Sequence, residues 1–75
     1  METKKYYEAL RELNAKVDCE EAEYPNMCFA TAISEGIELT ENKIMKVLLN
    51  RVEDGYLAYE QALNLNKVYK ELLLH

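Results

Sequence analysis

Tryptophan is absent from this chain; phenylalanine, histidine and proline occur once each, and glycine and cysteine twice each. Each scarcity closes off a class of protein. Two glycines and one proline leave little material for turns, so the elements must be few and long. The single histidine, His75, is the last residue, where fraying and solvent make it a poor base or metal ligand. Cys19 and Cys28 are too few for a disulfide scaffold. Their eight-residue gap matches neither a zinc knuckle nor a CxxC redox pair, and reduced thiols are expected, with Cys28 in the core. No apolar run approaches the ~18 residues of a membrane span, and "METKKYYEAL" lacks the apolar centre of a secretory leader. A soluble, cytoplasmic protein is expected.

Basic residues are also missing from one stretch. Residues 18–41 contain Asp18, Glu20, Glu21, Glu23, Glu35, Glu38 and Glu41 with no Lys or Arg, a charge of −7. Residues 1–17 and 42–75 each carry +1, so the overall net charge of −5 arises in the middle of the chain. If these side chains converge in space, their field attracts basic partners and repels phosphate.

The 75 residues, taken as a single domain 1–75, are about half hydrophobic and about a third charged, a globular balance. A chain of this length buries only roughly 60% of its unfolded surface, so one monomeric core is marginal and self-association is a natural remedy.

Hydrophobic periodicity is helical throughout, and no alternating strand pattern occurs. The expected fold is all-α, a small antiparallel bundle of about four helices near 3–17, 25–35, 41–53 and 56–73. In the first, Tyr6, Leu10, Leu13 and Val17 recur at steps of four, three and four, with Thr3 as N-cap. Pro25 suits the first turn of the second and pushes Tyr24 towards an extended conformation. The body of that helix, "NMCFATAIS", is apolar nearly all round, which predicts a central, buried element. Gly36 followed by Ile37 fits a Schellman-type stop.

Thr40 caps the third helix, with Leu39 and Ile44 at the spacing of a hydrophobic staple. Its inner face is Ile44, Met45, Leu48, Leu49 and Val52. The fourth carries Ala58, Ala62, Leu65, Tyr69 and Leu72 on one line. Between them, Met45, Leu49, Val52, Tyr56, Tyr59 and Leu63 keep a heptad-like rhythm straight through Gly55. Either Asp54 and Gly55 turn the chain, or helices three and four are continuous. Glycine inside a helix costs about 1 kcal/mol relative to alanine, which favours the turn.

The chemistry-bearing groups argue against an enzyme. There is no glycine-rich phosphate loop, no GxSxG and no HExxH. The densest stretch, "DCEEAEYPNMCF" at 18–29, lacks the glycine and the ligand alternation of a calcium loop, and proline interrupts it. No metal and no cofactor are expected. The segment "DGYLAYEQALNLNKVYKELL" faintly resembles the second half of a helix-turn-helix. That resemblance implies a DNA-binding transcriptional regulator, but Lys67 and Lys70 are the only cations of the would-be recognition helix, and phosphate neutralisation needs more.

The function expected is therefore a small acidic protein–protein interaction module, an inhibitor or modulator that docks on a basic surface of a larger partner, as a nucleic-acid mimic would. Phage-encoded inhibitors of host machinery often have this form. A DNA-binding regulator and a structural oligomer subunit are the alternatives. Asp18, Glu20, Glu21, Glu23 and Tyr24 are the expected partner contacts. Six tyrosines in so short a chain suggest an interface residue type. With the closing leucines they point to a homodimer through Tyr56, Tyr59, Leu73 and Leu74.

Overall fold

A computed structural model describes residues 3–74; His75 lies outside the described residues. The class is all-α, as expected, with α1 at Thr3–Lys16, α2 at Glu23–Ser34, α3 at Glu41–Glu53 and α4 at Tyr59–Leu73. A short 3-10 turn, Glu20–Ala22, leads into α2. The chain divides into two compact units, one up to Glu38 and the other from Leu39. Each unit is a helical hairpin, α1 packed on α2 and α3 packed on α4.

In the first hairpin, α1 buries Ala9 and Leu13, and Val17 is buried just past its end. Tyr6 and Leu10 are half-buried at the margin of this stripe. The facing stripe runs through Ala22, Pro25, Asn26, Phe29 and Ala30, at helical steps of three, one, three and one. The second helix is thus buried on one side only, contrary to the central element expected. Tyr24, Met27 and Ile33 are exposed and Cys28 is half-buried rather than in the core. Apolar composition alone misled here, because Tyr24, Met27 and Ile33 stand exposed while Cys28, Thr31 and Ala32 are only half-buried.

The second helix also starts two residues earlier than expected, with Tyr24 inside it. The helix needs no N–H from residue 25, since first-turn donors have no intrahelical partner, so proline removes no bond. A helical residue before proline is disfavoured. Here the burial of Pro25 and the hydrogen bonds of Asn26 behind it offset that cost.

Both glycines end helices by the same device. At Gly36, with φ +72, the amide of residue 36 donates to the Ile33 carbonyl at 3.2 Å and that of Ile37 to Ala32 at 2.9 Å. At Gly55, with φ +86, the pairs are Gly55 to Val52 at 3.0 Å and Tyr56 to Arg51 at 2.9 Å. Each is a Schellman motif, in which a left-handed residue lets two amides satisfy the last carbonyls of the helix. A side chain is strained at such a φ, so glycine fixes the stop. Gly55 therefore ends α3, and a continuous third and fourth helix is ruled out.

The second hairpin buries Ile44 and Leu48 from α3 and Ala62, Leu65 and Tyr69 from α4, with Leu57 from the connection. Thr40 caps α3 by accepting from the Lys43 amide at 3.2 Å. The fourth helix begins at Tyr59 rather than residue 56, because the Schellman turn and the inward-turned Leu57 occupy the intervening residues. Its first turn is closed by the Gln61 side chain, which accepts from the Ala58 amide at 2.9 Å. Glu41 at the start of α3 pairs with Lys70 near the end of α4 at 3.2 Å, so the two helices run in opposite senses.

Candidate functional site: an acidic cleft at the reversal of the first hairpin

The chain reverses between α1 and α2 without glycine. Cys19 is extended, with φ −145 and ψ 153, and the Ala22 amide donates back to the Cys19 carbonyl at 3.0 Å. What holds the corner is one buried asparagine. The Asn26 Nδ2 group donates to the Asn14 Oδ1 at 3.0 Å and to the Val17 carbonyl at 3.1 Å. The second acceptor is a carbonyl at the end of α1, one of those a helix leaves unsatisfied. Asn26 is 1% exposed and its bond to the Val17 carbonyl is buried, where an unmade one is costly; the bond to the exposed Asn14 is only partly buried.

Above this bracket lies an open cleft of about 360 Å³ lined by Asn14, Val17, Asp18, Cys19, Glu20 and Glu23. Three carboxylates and a thiol face it, and no cation does. Of the lining residues Val17 is buried, while Asn14, Asp18, Cys19, Glu20 and Glu23 are solvent-exposed. Carboxylates gathered at one cleft supply a negative field and hydrogen-bond acceptors. Among the described residues, no group of three or more His, Cys, Asp or Glu side chains is placed to hold a metal ion.

Of the five expected partner contacts, the fold gathers Asp18, Glu20 and Glu23 into the cleft. Glu21 is exposed but does not line it. Tyr24, 48% exposed, sits on the outward side of α2 near Met27 instead. Asn14 and Asn26 were missed by sequence reasoning. The available signal was Asn26 itself, a polar residue in an otherwise apolar helix body.

The four expected self-association residues separate into two places. Tyr56 and Tyr59 are exposed at the reversal of the second hairpin, with the Arg51 guanidinium 3.9 Å above the Tyr56 ring. Leu73 and Leu74 are half-buried at the other end of α4, about 21 Å along the helix from Tyr59. The remaining aromatic pair, Tyr6 and Tyr7, meets edge to face at 5.2 Å on α1.

Both cysteines are free thiols, Cys19 exposed at the cleft and Cys28 half-buried on α2. Among the described residues, no helix is long and apolar enough to cross a membrane. No family model matches the chain, and comparison with curated proteins and with solved structures finds no similar one.

Proposed function

We propose that this chain is an acidic protein–protein interaction module that docks the cleft of its first hairpin on a basic surface of a larger partner and so occludes or modulates it. One observation carries the reading: Asp18, Glu20 and Glu23 share one open cleft, in a stretch that contains no Lys or Arg from residue 18 to residue 41. Uncompensated carboxylates on a rigid corner give long-range attraction and orientation towards a cationic surface. A partner groove built for phosphate would accept them, which is the nucleic-acid mimic form of the same proposal.

The DNA-binding alternative gains no support from the local structure. Its "LNLNKVY" segment, residues 63–69, lies wholly inside α4, so no turn separates a recognition helix there.

The test is charge reversal. The triple variant Glu20→Lys, Glu21→Lys, Glu23→Lys changes only exposed positions, so its circular dichroism should match that of the parent. Capture of a partner from the native cell should fall by at least about tenfold, and capture by the parent should weaken as salt is raised. Undiminished, salt-insensitive capture by the variant would remove the acidic cleft from the binding surface.

A further inference from the structure

The outward side of α2 carries a line of residues that α1 does not cover, and acid stands at both of its ends. Tyr24, Met27, Thr31 and Glu35 follow one another at helical steps of three, four and four, opposite the buried stripe through Ala22, Asn26 and Phe29. Tyr24 and Met27 are exposed, with Cys28 and Thr31 half-buried beside them. The hydroxyl groups on this side are already used inside the helix. Thr31 donates to the Met27 carbonyl at 2.9 Å and Ser34 to the Thr31 carbonyl at 2.8 Å. An apolar surface laid over them therefore strands no hydroxyl proton, and the usual cost of covering a polar group is not incurred.

Charge points to the occupant. Glu20, Glu21 and Glu23 stand at the start of the line and Glu35 at its end, within a stretch, residues 18–41, that has no Lys or Arg. The helix packed behind, α1, carries Lys4, Lys5, Arg11 and Lys16 against Glu8 and Glu12, yet the hairpin up to Glu38 keeps a net charge of −5. Such a field repels a nucleic acid, an anionic membrane and a second copy of the same hairpin. A neutral apolar partner gains nothing from the carboxylates. A segment with an apolar stripe and a cation at each end matches both features. The line is also continuous with the acidic cleft, because Glu23 lines the cleft and Met27 lies one turn further along the helix. From Glu23 to Glu35 the axis advances about 18 Å, the length of roughly three turns of a partner helix.

We propose that the outward side of α2 docks a cationic amphipathic helix of the partner, whose apolar stripe covers Tyr24 and Met27 and whose Lys or Arg residues meet Asp18, Glu20 and Glu23 at one end and Glu35 at the other. Helices recognised in this way offer anchors at spacings of three and four, the spacings found on α2 itself. Tyrosine brings a large, stiff contact and methionine an adaptable one. The proposal rests on the acidic-docking reading and narrows it from any basic surface to one class of segment.

Two dye-labelled synthetic peptides of leucine and lysine, equal in composition and charge, test it by fluorescence anisotropy. In one the leucines recur at helical spacing and form a stripe; in the other their order is scrambled. The full chain should bind the striped peptide at least about tenfold tighter than the scrambled one. Tyr24→Ser and, separately, Met27→Ser should each reduce that preference while leaving the circular dichroism unchanged, since both side chains are exposed. Tyr56→Ser, in the other hairpin, should keep it. Charge reversal of Glu20, Glu21 and Glu23 should weaken binding of both peptides. Equal affinity of the unaltered chain for the two peptides, or a preference that survives both α2 substitutions, overturns the amphipathic helix while the acidic-docking reading stands. Binding of neither peptide overturns it too, and the acidic reading is then judged by its own capture experiment. A parent chain that is dimeric and made monomeric by Met27→Ser also overturns it, by giving the face to a second copy.

Discussion

The two hairpins are nearly equal in length, and each pairs two helices of 12 to 15 residues, yet they reverse the chain by different chemistry. The first turns through an extended cysteine and a 3-10 turn, braced by the buried amide of Asn26. The second turns at a left-handed glycine and packs Leu57 inward. Charge follows the same division. Up to Glu38 there are four Lys or Arg against nine Asp or Glu, a net of −5, while the second hairpin is neutral. A polar corner tolerates exposed carboxylates around it and so supports an acidic cleft. The apolar corner leaves Tyr56 and Tyr59 exposed at its edge.

The largest effect that would sharpen this contrast comes from the core of the neutral hairpin. Leu48 is fully buried, and Leu48→Ala should cost about 2–5 kcal/mol through lost burial and the cavity left behind. Amide hydrogen exchange should show that loss in α3 and α4. Equal loss of protection in α1 and α2 would merge the two units into one cooperative structure.

Next come the two asparagines that face inward, one in each hairpin. Asn26→Ala should destabilise by about 1–3 kcal/mol, because it strips the Val17 carbonyl and Asn14 of a buried donor. Asn66 on α4 is different, since its Oδ1 is buried with no hydrogen-bond partner. Asn66→Leu should cost nothing and gain up to about 1 kcal/mol. Urea midpoints compare the two directly, and similar losses at both sites would mean that the unpaired Asn66 amide supports its hairpin as much as the paired Asn26 supports the other.

The smallest effect concerns the field. Screening the self-repulsion of the acidic hairpin should raise its exchange protection by a few tenths of a kcal/mol between low and high salt, and leave the neutral hairpin unchanged. A matching rise in both would mean that salt acts on hydrophobic burial rather than on charge.

Much of this was legible in the residues. Thr40 as an N-cap and Gly36 with Ile37 as a stop are local chemistry, settled within one helical turn. The stripes of α1, α3 and α4 were read from spacing with small errors, such as Ala9, which is buried although Tyr6 and Leu10 beside it are only half so. The acidic stretch was visible as composition, and three of its carboxylates meet at one cleft. Asn26 was not read as a bracket, because its partners lie nine and twelve residues back and nothing local announces them.

The heptad-like line through Gly55 shows where sequence ends and tertiary structure begins. Met45, Leu49, Val52, Tyr56, Tyr59 and Leu63 are spaced as one helix face would be, and the residues alone determined that they belong to one apolar line. The left-handed φ of Gly55 breaks that line, and the antiparallel return of α4 folds its second half back beside the first. Periodicity fixes which side of its own helix a residue occupies, because that depends only on the helical repeat. Which flank of a hairpin it shares, and with what, depends on how the chain reverses, and that was decided by one glycine torsion, the inward turn of Leu57 and the packing of α3 on α4.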